Sequence, residues 1–229
     1  RPNLDEGDPS TRGRAAAVAP AFQELGGTIV ISTAVTADQT DMRSVLTEVA
    51  AAGAELIFFP IFQPAGDFIA EQALEVAGLE ETVLMGADGL LSDTYVTLPQ
   101  TEEMYFSGPQ TPTTDAYAEF VTKYTEAYGE APIQSFHAHS YDATNMVFTA
   151  IEEAATDDGS GNLSIDLQAF RDALGSMTHE GLTGSLSCDD FGDCASPNID
   201  IVQNTAEQAD IEAVRGNVLI SYSREDLGL

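Results

Sequence analysis

Apolar positions along this chain recur with two periods, one of strands and one of helices. The sharpest stretch runs from Glu55 to Gly89. It opens with the continuous run Leu56-Ile57-Phe58-Phe59, closed by Pro60, which is too short for a lone buried helix and suits a strand covered on both faces. Pro64 stands where a first helical residue would be, helical spacing follows, and Gly78 is the expected stop. Thr82 to Gly86 is a second apolar run. A strand–helix–strand unit of this kind builds a parallel sheet. Its exit turns, Phe62-Gln63-Pro64 and Ala87-Asp88-Gly89, lie where open α/β sheets bind ligands, outside the carboxyl ends of the strands.

Before this unit the pattern predicts an Ala-rich helix over about Thr11–Leu25, kinked or divided at Pro20 and stopped by Gly26-Gly27. A β-branched strand over Thr28–Val35 follows. Asp38 or Thr40 can cap a helix over about Asp41–Ala52, with Val45, Leu46 and Val49 on its buried side. After the unit, a strand over about Met104–Gly108 completes an alternating α/β series. Beyond residue 110 helices dominate. One is expected over Thr114–Tyr128, with Tyr117, Phe120, Val121 and Tyr124 at helical spacing, and another is capped by Ser140. The segment TDDGSGN reads as a surface turn, and Asp166–Leu174 as a short helix. Gly181–Ser187, Ile199–Val202 and Val214–Ser221 read as strands. The fold class is α/β, with parallel-sheet layers and helices on both faces.

Charge sharpens the picture. The 229 residues carry 38 acidic and 8 basic side chains, a net charge of −30, and Lys123 is the single lysine. Clustered cations are missing, which excludes nucleic-acid binding and attraction to anionic membranes. The acidity fits a chain kept dispersed by self-repulsion, or one adapted to high salt, where screening removes that repulsion. No apolar segment approaches the roughly 20 residues that span a bilayer. The chain opens at Arg1, which implies processing or trimming.

Candidate chemistry is sparse. Neither a nucleophile motif nor a Walker or Gly-x-Gly-x-x-Gly loop appears. His137 and His139 would diverge on a helix, so no metal is expected there, and no cofactor is implied. Cys188 and Cys194 enclose five residues, a spacing compatible with a disulfide. A metal pair is the alternative, but no thiol or histidine completes the set. The intervening acidic residues lack calcium-loop spacing. Asp88 is either a turn residue before Gly89 or a ligand contact, and Phe62 is either core or ligand wall.

Several motifs in order resemble one family. They are Glu6-Gly-Asp-Pro-Ser-Thr-Arg-Gly13, Phe22-Gln-Glu-Leu-Gly-Gly27, Ala54-Glu-Leu-Ile-Phe-Phe59, Leu84-Met-Gly-Ala-Asp-Gly89, Ser140-Tyr-Asp-Ala143 and Gly181-Leu-Thr-Gly184 followed by Asp190-Phe-Gly-Asp193. Each is loose, but their order and spacing resemble type I periplasmic binding proteins, closest to the solute-binding components of branched-chain amino acid ABC transporters. The resemblance implies two α/β lobes joined by three crossovers, with a ligand in the cleft. On that pattern residues 1–111 form most of the carboxyl-side lobe, 112–197 the returning part of the amino-side lobe, and 198–229 the final crossing back. The family's opening segment is expected to be absent, leaving a fragment of a longer receptor.

Carried over residue by residue, Asp88 resembles the acidic residue that binds the ligand ammonium. Phe62 resembles an aromatic lining the cleft, and Phe136 an apolar wall near the hinge. Ser10 stands where the family often has a tyrosine, which removes an apolar wall. The implied function is an extracytoplasmic receptor, periplasmic or at the cell surface, where a lipid anchor through the missing N-terminus is compatible. It would deliver an amino acid or related small zwitterion to a membrane permease, without catalysis. The alternatives are a ligand-sensing regulatory domain of the same fold and a small α/β hydrolase.

Overall fold

The computed structural model describes residues 4–5, 9–194, 198–208, 210–223 and 226, with side chains described from residue 11 onward. In chain order the elements are β1 (Leu4–Asp5), α1 (Pro9–Glu24), β2 (Ala34–Val35), α2 (Arg43–Ala51), β3 (Leu56–Phe58), α3 (Ala65–Ala73), β4 (Val83–Ala87), α4 (Asp93–Val96) and β5 (Tyr105–Pro109). Then come α5 (Asp115–Tyr128), α6 (His137–Ala154), β6 (Ala155–Asp157), β7 (Leu163–Ile165), α7 (Leu167–Ser176), β8 (Thr178–Gly181) and β9 (Gly184–Ser187). The last are β10 (Ile199–Gln203), α8 (Ile211–Gly216) and β11 (Val218–Tyr222). The chain forms two compact units, residues 1–109 with 199–221, and residues 110–198 with 222–229.

The first unit is built on a five-stranded sheet in the order β11-β10-β5-β4-β3. Strands β3, β4 and β5 run parallel, in the register Phe58 to Met85 and Met85 to Tyr105, while β10 lies antiparallel to β5. Ile57, Phe59, Ile61, Leu84 and Phe106 form its core with Leu46 and Val49 of α2 and Ile69 of α3. Two buried polar side chains hold the helical layer. Gln72 Oε1 accepts from the Met42 N–H at 2.6 Å and its Nε2 donates to the Thr40 carbonyl at 2.8 Å, fastening α3 to the start of α2. The Tyr95 hydroxyl donates to the Gly66 carbonyl, and its ring meets Phe106 edge-on.

The strand–helix–strand unit is present, with three differences. Leu56 is exposed, as is its partner Val83 on the interior strand β4, so that end of the sheet is uncovered and only the later part of the run is buried. Pro64 is the N-cap rather than the first helical residue, and α3 ends at Ala73, well before Gly78. Helix α1 passes unbroken through Pro20, which is exposed, so water can satisfy the carbonyl it frees. Of Thr28–Val35 only Ala34 and Val35 pair, with Leu4 and Asp5. β-branched residues favour extended backbone, but a strand also needs a partner. Helix α2 has Met42 at its N-cap with no side-chain bond, instead of Asp38 or Thr40.

In the second unit α5 begins as expected, with Thr114 Oγ1 accepting from the Tyr117 N–H. Helix α6 starts three residues before Ser140. The Ser140 N–H bonds the Phe136 carbonyl, so Ser140 lies inside the first turn and Phe136 is the N-cap. Gly181–Ser187 is half of a hairpin, β8–β9, rather than one strand. The cause is Asp142 of α6, 1 % exposed, whose carboxylate takes the Leu182 N–H at 2.8 Å, the Thr183 N–H at 2.9 Å and the Thr183 hydroxyl at 2.7 Å. Those two N–H groups are drawn from any ladder, and the chain reverses there. A Cβ on Gly181 would come within 2.5 Å of the same carboxylate. Val214 is in α8, capped by Asp210, and the last strand starts only at Val218. Cys188 and Cys194 are bonded to each other.

Candidate functional site

The turns after β3 and β4 meet, because Gly89 has no side chain. A Cβ there would lie 2.7 Å from the Phe62 ring and 2.9 Å from the Ile61 carbonyl oxygen. Phe62 therefore rests on the backbone beside Asp88, with 40 % of its surface exposed while Phe59 and Ile61 beneath it are buried. Gln63 ties the same turns together. Its Oε1 accepts from Ser92 Oγ at 3.1 Å and Thr94 Oγ1 at 2.9 Å, and its Nε2 donates to Asp67 at 3.0 Å. Partial burial raises the Asp67 pKa, and the Gln63 bond works against that.

Asp88 follows β4 and is engaged by Arg14 of α1. Arg14 Nη2 donates to Asp88 Oδ2 at 2.7 Å, and the two side chains form an ion pair. The Arg14 side chain is 39 % exposed and that of Asp88 11 %. Sequence reasoning singled out Asp88 and Phe62 but not Arg14, which pairs with Asp88. Helical spacing says which face of α1 carries Arg14, but not that it meets a residue 74 positions on. The one available signal was scarcity, since only 8 side chains of the chain are cationic Lys or Arg. Ser10 lies in the first turn of α1, and its side chain lies outside the described residues.

Phe136 belongs to the second unit. It is 41 % exposed and meets His139 edge-on. There it borders an open groove of about 820 Å³ along α5 and α6, lined by Phe120, Tyr124, Tyr141 and Phe148 among others. His137 packs edge-on against Tyr124, and among the described residues no three His, Cys, Asp or Glu side chains are placed to hold a metal. Nor is any described helix long and apolar enough to cross a membrane.

Residues 4–198 match the family model described as "Periplasmic binding protein". The chain belongs to this family. It is 27 % identical over 192 residues to the Leu/Ile/Val-binding protein homolog 3 of Brucella melitensis, covering 83 % of this chain and 50 % of that one. Among solved structures, the leucine binding protein LivK of Thermotoga maritima superposes with a TM-score of 0.78 at 20 % identity, over 98 % of this chain and 60 % of that one. A solute-binding protein of an ABC transporter from R. palustris, solved with benzoate, gives 0.68 at 13 % identity, over 99 % and 60 %. These likenesses establish the type I periplasmic-binding-protein fold. The chain spans about half the length of the curated relative and about 60 % of these solved ones.

Proposed function

We propose that this chain is the greater part of an extracytoplasmic solute receptor of an ABC transporter. It captures a small organic solute bearing a carboxylate, an amino acid in the reading its relatives support, and delivers it to a membrane permease without catalysis. The first unit corresponds to the carboxyl-side lobe and the second to the returning part of the amino-side lobe. One observation carries the reading: the turns after parallel strands β3 and β4 present a half-exposed aromatic, Phe62, beside the charged pair Asp88–Arg14. Apolar walls with a few fixed polar groups are the composition of small-molecule sites, and the carboxyl ends of parallel strands are where such sites form.

Support for an amino acid comes from the Brucella relative's name and from a Streptococcus pneumoniae LivJ structure solved with isoleucine. R. palustris neighbours solved with benzoate and 4-hydroxybenzoate widen the class to carboxylates in general. Ser10 and Phe136 stay candidates for further contacts with the solute. The test is native mass spectrometry of the full-length protein for retained solute, followed by calorimetry with leucine, isoleucine, valine and benzoate. Binding to none of them tighter than about 1 mM, roughly 4 kcal/mol, would sink the receptor reading for this class.

A further inference from the structure

Resting on the extracytoplasmic location in that reading, we propose that Asn162 is a glycosylation site. Its side-chain amide receives an oligosaccharide from a lipid-linked donor outside the cytoplasm.

The sequence supplies the acceptor. Of the six asparagines in the chain, Asn162 alone opens the pattern Asn-x-Ser/Thr with x other than proline, as Asn162-Leu163-Ser164. The fold puts that one triplet where an enzyme can reach it. Residues 156–169 are the longest unbroken run of exposed residues among the described ones, and the triplet lies inside it. Leu163 is 66 % exposed, so no core position fixes the triplet from within. By contrast Asn204 is buried, and Asn145, Asn198 and Asn217 are partly buried.

The local architecture favours transfer as well as access. Strands β6 and β7 pair only with each other, and an isolated two-stranded ribbon is marginal in water. The triplet can therefore leave its ladder at low cost and enter another protein's active site. Asn162 itself stands at the mouth of the ribbon, where its carbonyl accepts from the Asp158 N–H at 3.2 Å. Its Nδ2 donates to Asp158 Oδ2 at 2.9 Å, an exposed bond that water can replace. In the transfer, Nδ2 forms a bond to the anomeric carbon of the first sugar. The bond from that carbon to the donor's phosphate oxygen breaks, the lipid phosphate or pyrophosphate leaves, and one amide proton is released. The side chain keeps its second N–H, which still suits Asp158. The Cys188–Cys194 bond is independent support for an oxidising compartment outside the cytoplasm.

The test is glycopeptide mass spectrometry of the full-length protein purified from its source organism, with cytoplasmic and extracytoplasmic fractions kept apart. More than half of the extracytoplasmic molecules should carry a mass of sugar residues on Asn162. Asn162→Gln and Ser164→Ala should each abolish it, and Ser164→Thr should retain it. Ser164→Ala leaves the acceptor amide in place, so it separates recognition of the triplet from loss of the nitrogen. An unmodified Asn162 in protein recovered outside the cytoplasmic membrane overturns this inference and leaves the receptor reading standing. So does a sugar that persists in Ser164→Ala or is attached to a serine. Protein recovered solely from the cytoplasm removes both.

Discussion

Replacing Asp142 by asparagine should be among the more damaging single-atom-scale changes available in the second unit. The carboxylate is 1 % exposed and accepts three hydrogen bonds from two consecutive residues, Leu182 and Thr183. An amide has one acceptor oxygen, so whichever way the substituted side chain turned, its NH2 would face a backbone N–H. One charge-assisted bond, worth about 1.5–3 kcal/mol, is lost, and a buried donor is left unsatisfied. The expected cost is about 3 kcal/mol, or roughly 6–12 °C in Tm for a chain of this size. Gly181→Ala attacks the same contact from the other side, because its Cβ would lie 2.5 Å from a carboxylate that three bonds hold in place. Urea melts of the full-length protein followed by far-UV circular dichroism measure both variants. The double variant should cost less than the sum of the singles, since each disrupts the same contact. If Asp142→Asn melts within about 0.5 kcal/mol of wild type, the carboxylate is not what closes the β8–β9 turn.

Four other outcomes are expected. Free-thiol titration of unfolded, unreduced protein should find neither Cys188 nor Cys194, and replacing both by serine should cost about 2 kcal/mol or less, given a separation of only 6 residues. Two reactive thiols would reject the bond. Gln72→Ala should destabilise by about 1–3 kcal/mol in the same urea melts, because the Met42 N–H loses its buried acceptor; an unchanged midpoint would show that water replaces it. Asp67 has a raised pKa, so the folded state holds its proton more tightly and stability falls as pH rises from the ordinary carboxylate value to the raised one. Asp67→Asn should therefore gain Tm relative to wild type between pH 3 and pH 7, and a relative loss would show that the Gln63 bond outweighs burial. The isolated 229-residue chain should self-associate through the exposed aromatics of α5 and α6; a monodisperse monomer with a cooperative melt refutes this.

The parts of the fold that were legible in the sequence are those dictated locally. The run Leu56-Ile57-Phe58-Phe59 and the run ending at Gly86 appear as β3 and β4 because short apolar runs bounded by turn residues have few other uses. The helices expected from about Thr114 and Asp166 are α5 and α7, and the structure makes those two residues their N-caps, bonded to N–H groups two or three residues on. Misreadings arose where a distant group decided. Thr28–Val35 looks like a strand by composition, yet only two of its residues find partners. Gly181–Ser187 looks continuous, yet a carboxylate about 40 positions earlier in the chain takes the N–H groups at its middle. The motifs around Ser140 and Gly181 were both noticed, but nothing in either says that Asp142 of one is built to hold the turn of the other.

The candidate site divides along the same line. Asp88 was visible because its place is a backbone property: the end of a parallel strand, before a glycine that lets Phe62 lie against the chain. What Asp88 does there depends on Arg14, and a guanidinium 74 residues earlier has no signature in spacing or period. A resemblance carries over positions, so it brings the acidic residue and the ammonium role together. The ion pair with Arg14 is not carried over with them. An acidic side chain facing an open cleft attracts a cation, whereas the same side chain gripped by a more exposed arginine orients one. The identity of the residue at position 88 is compatible with either.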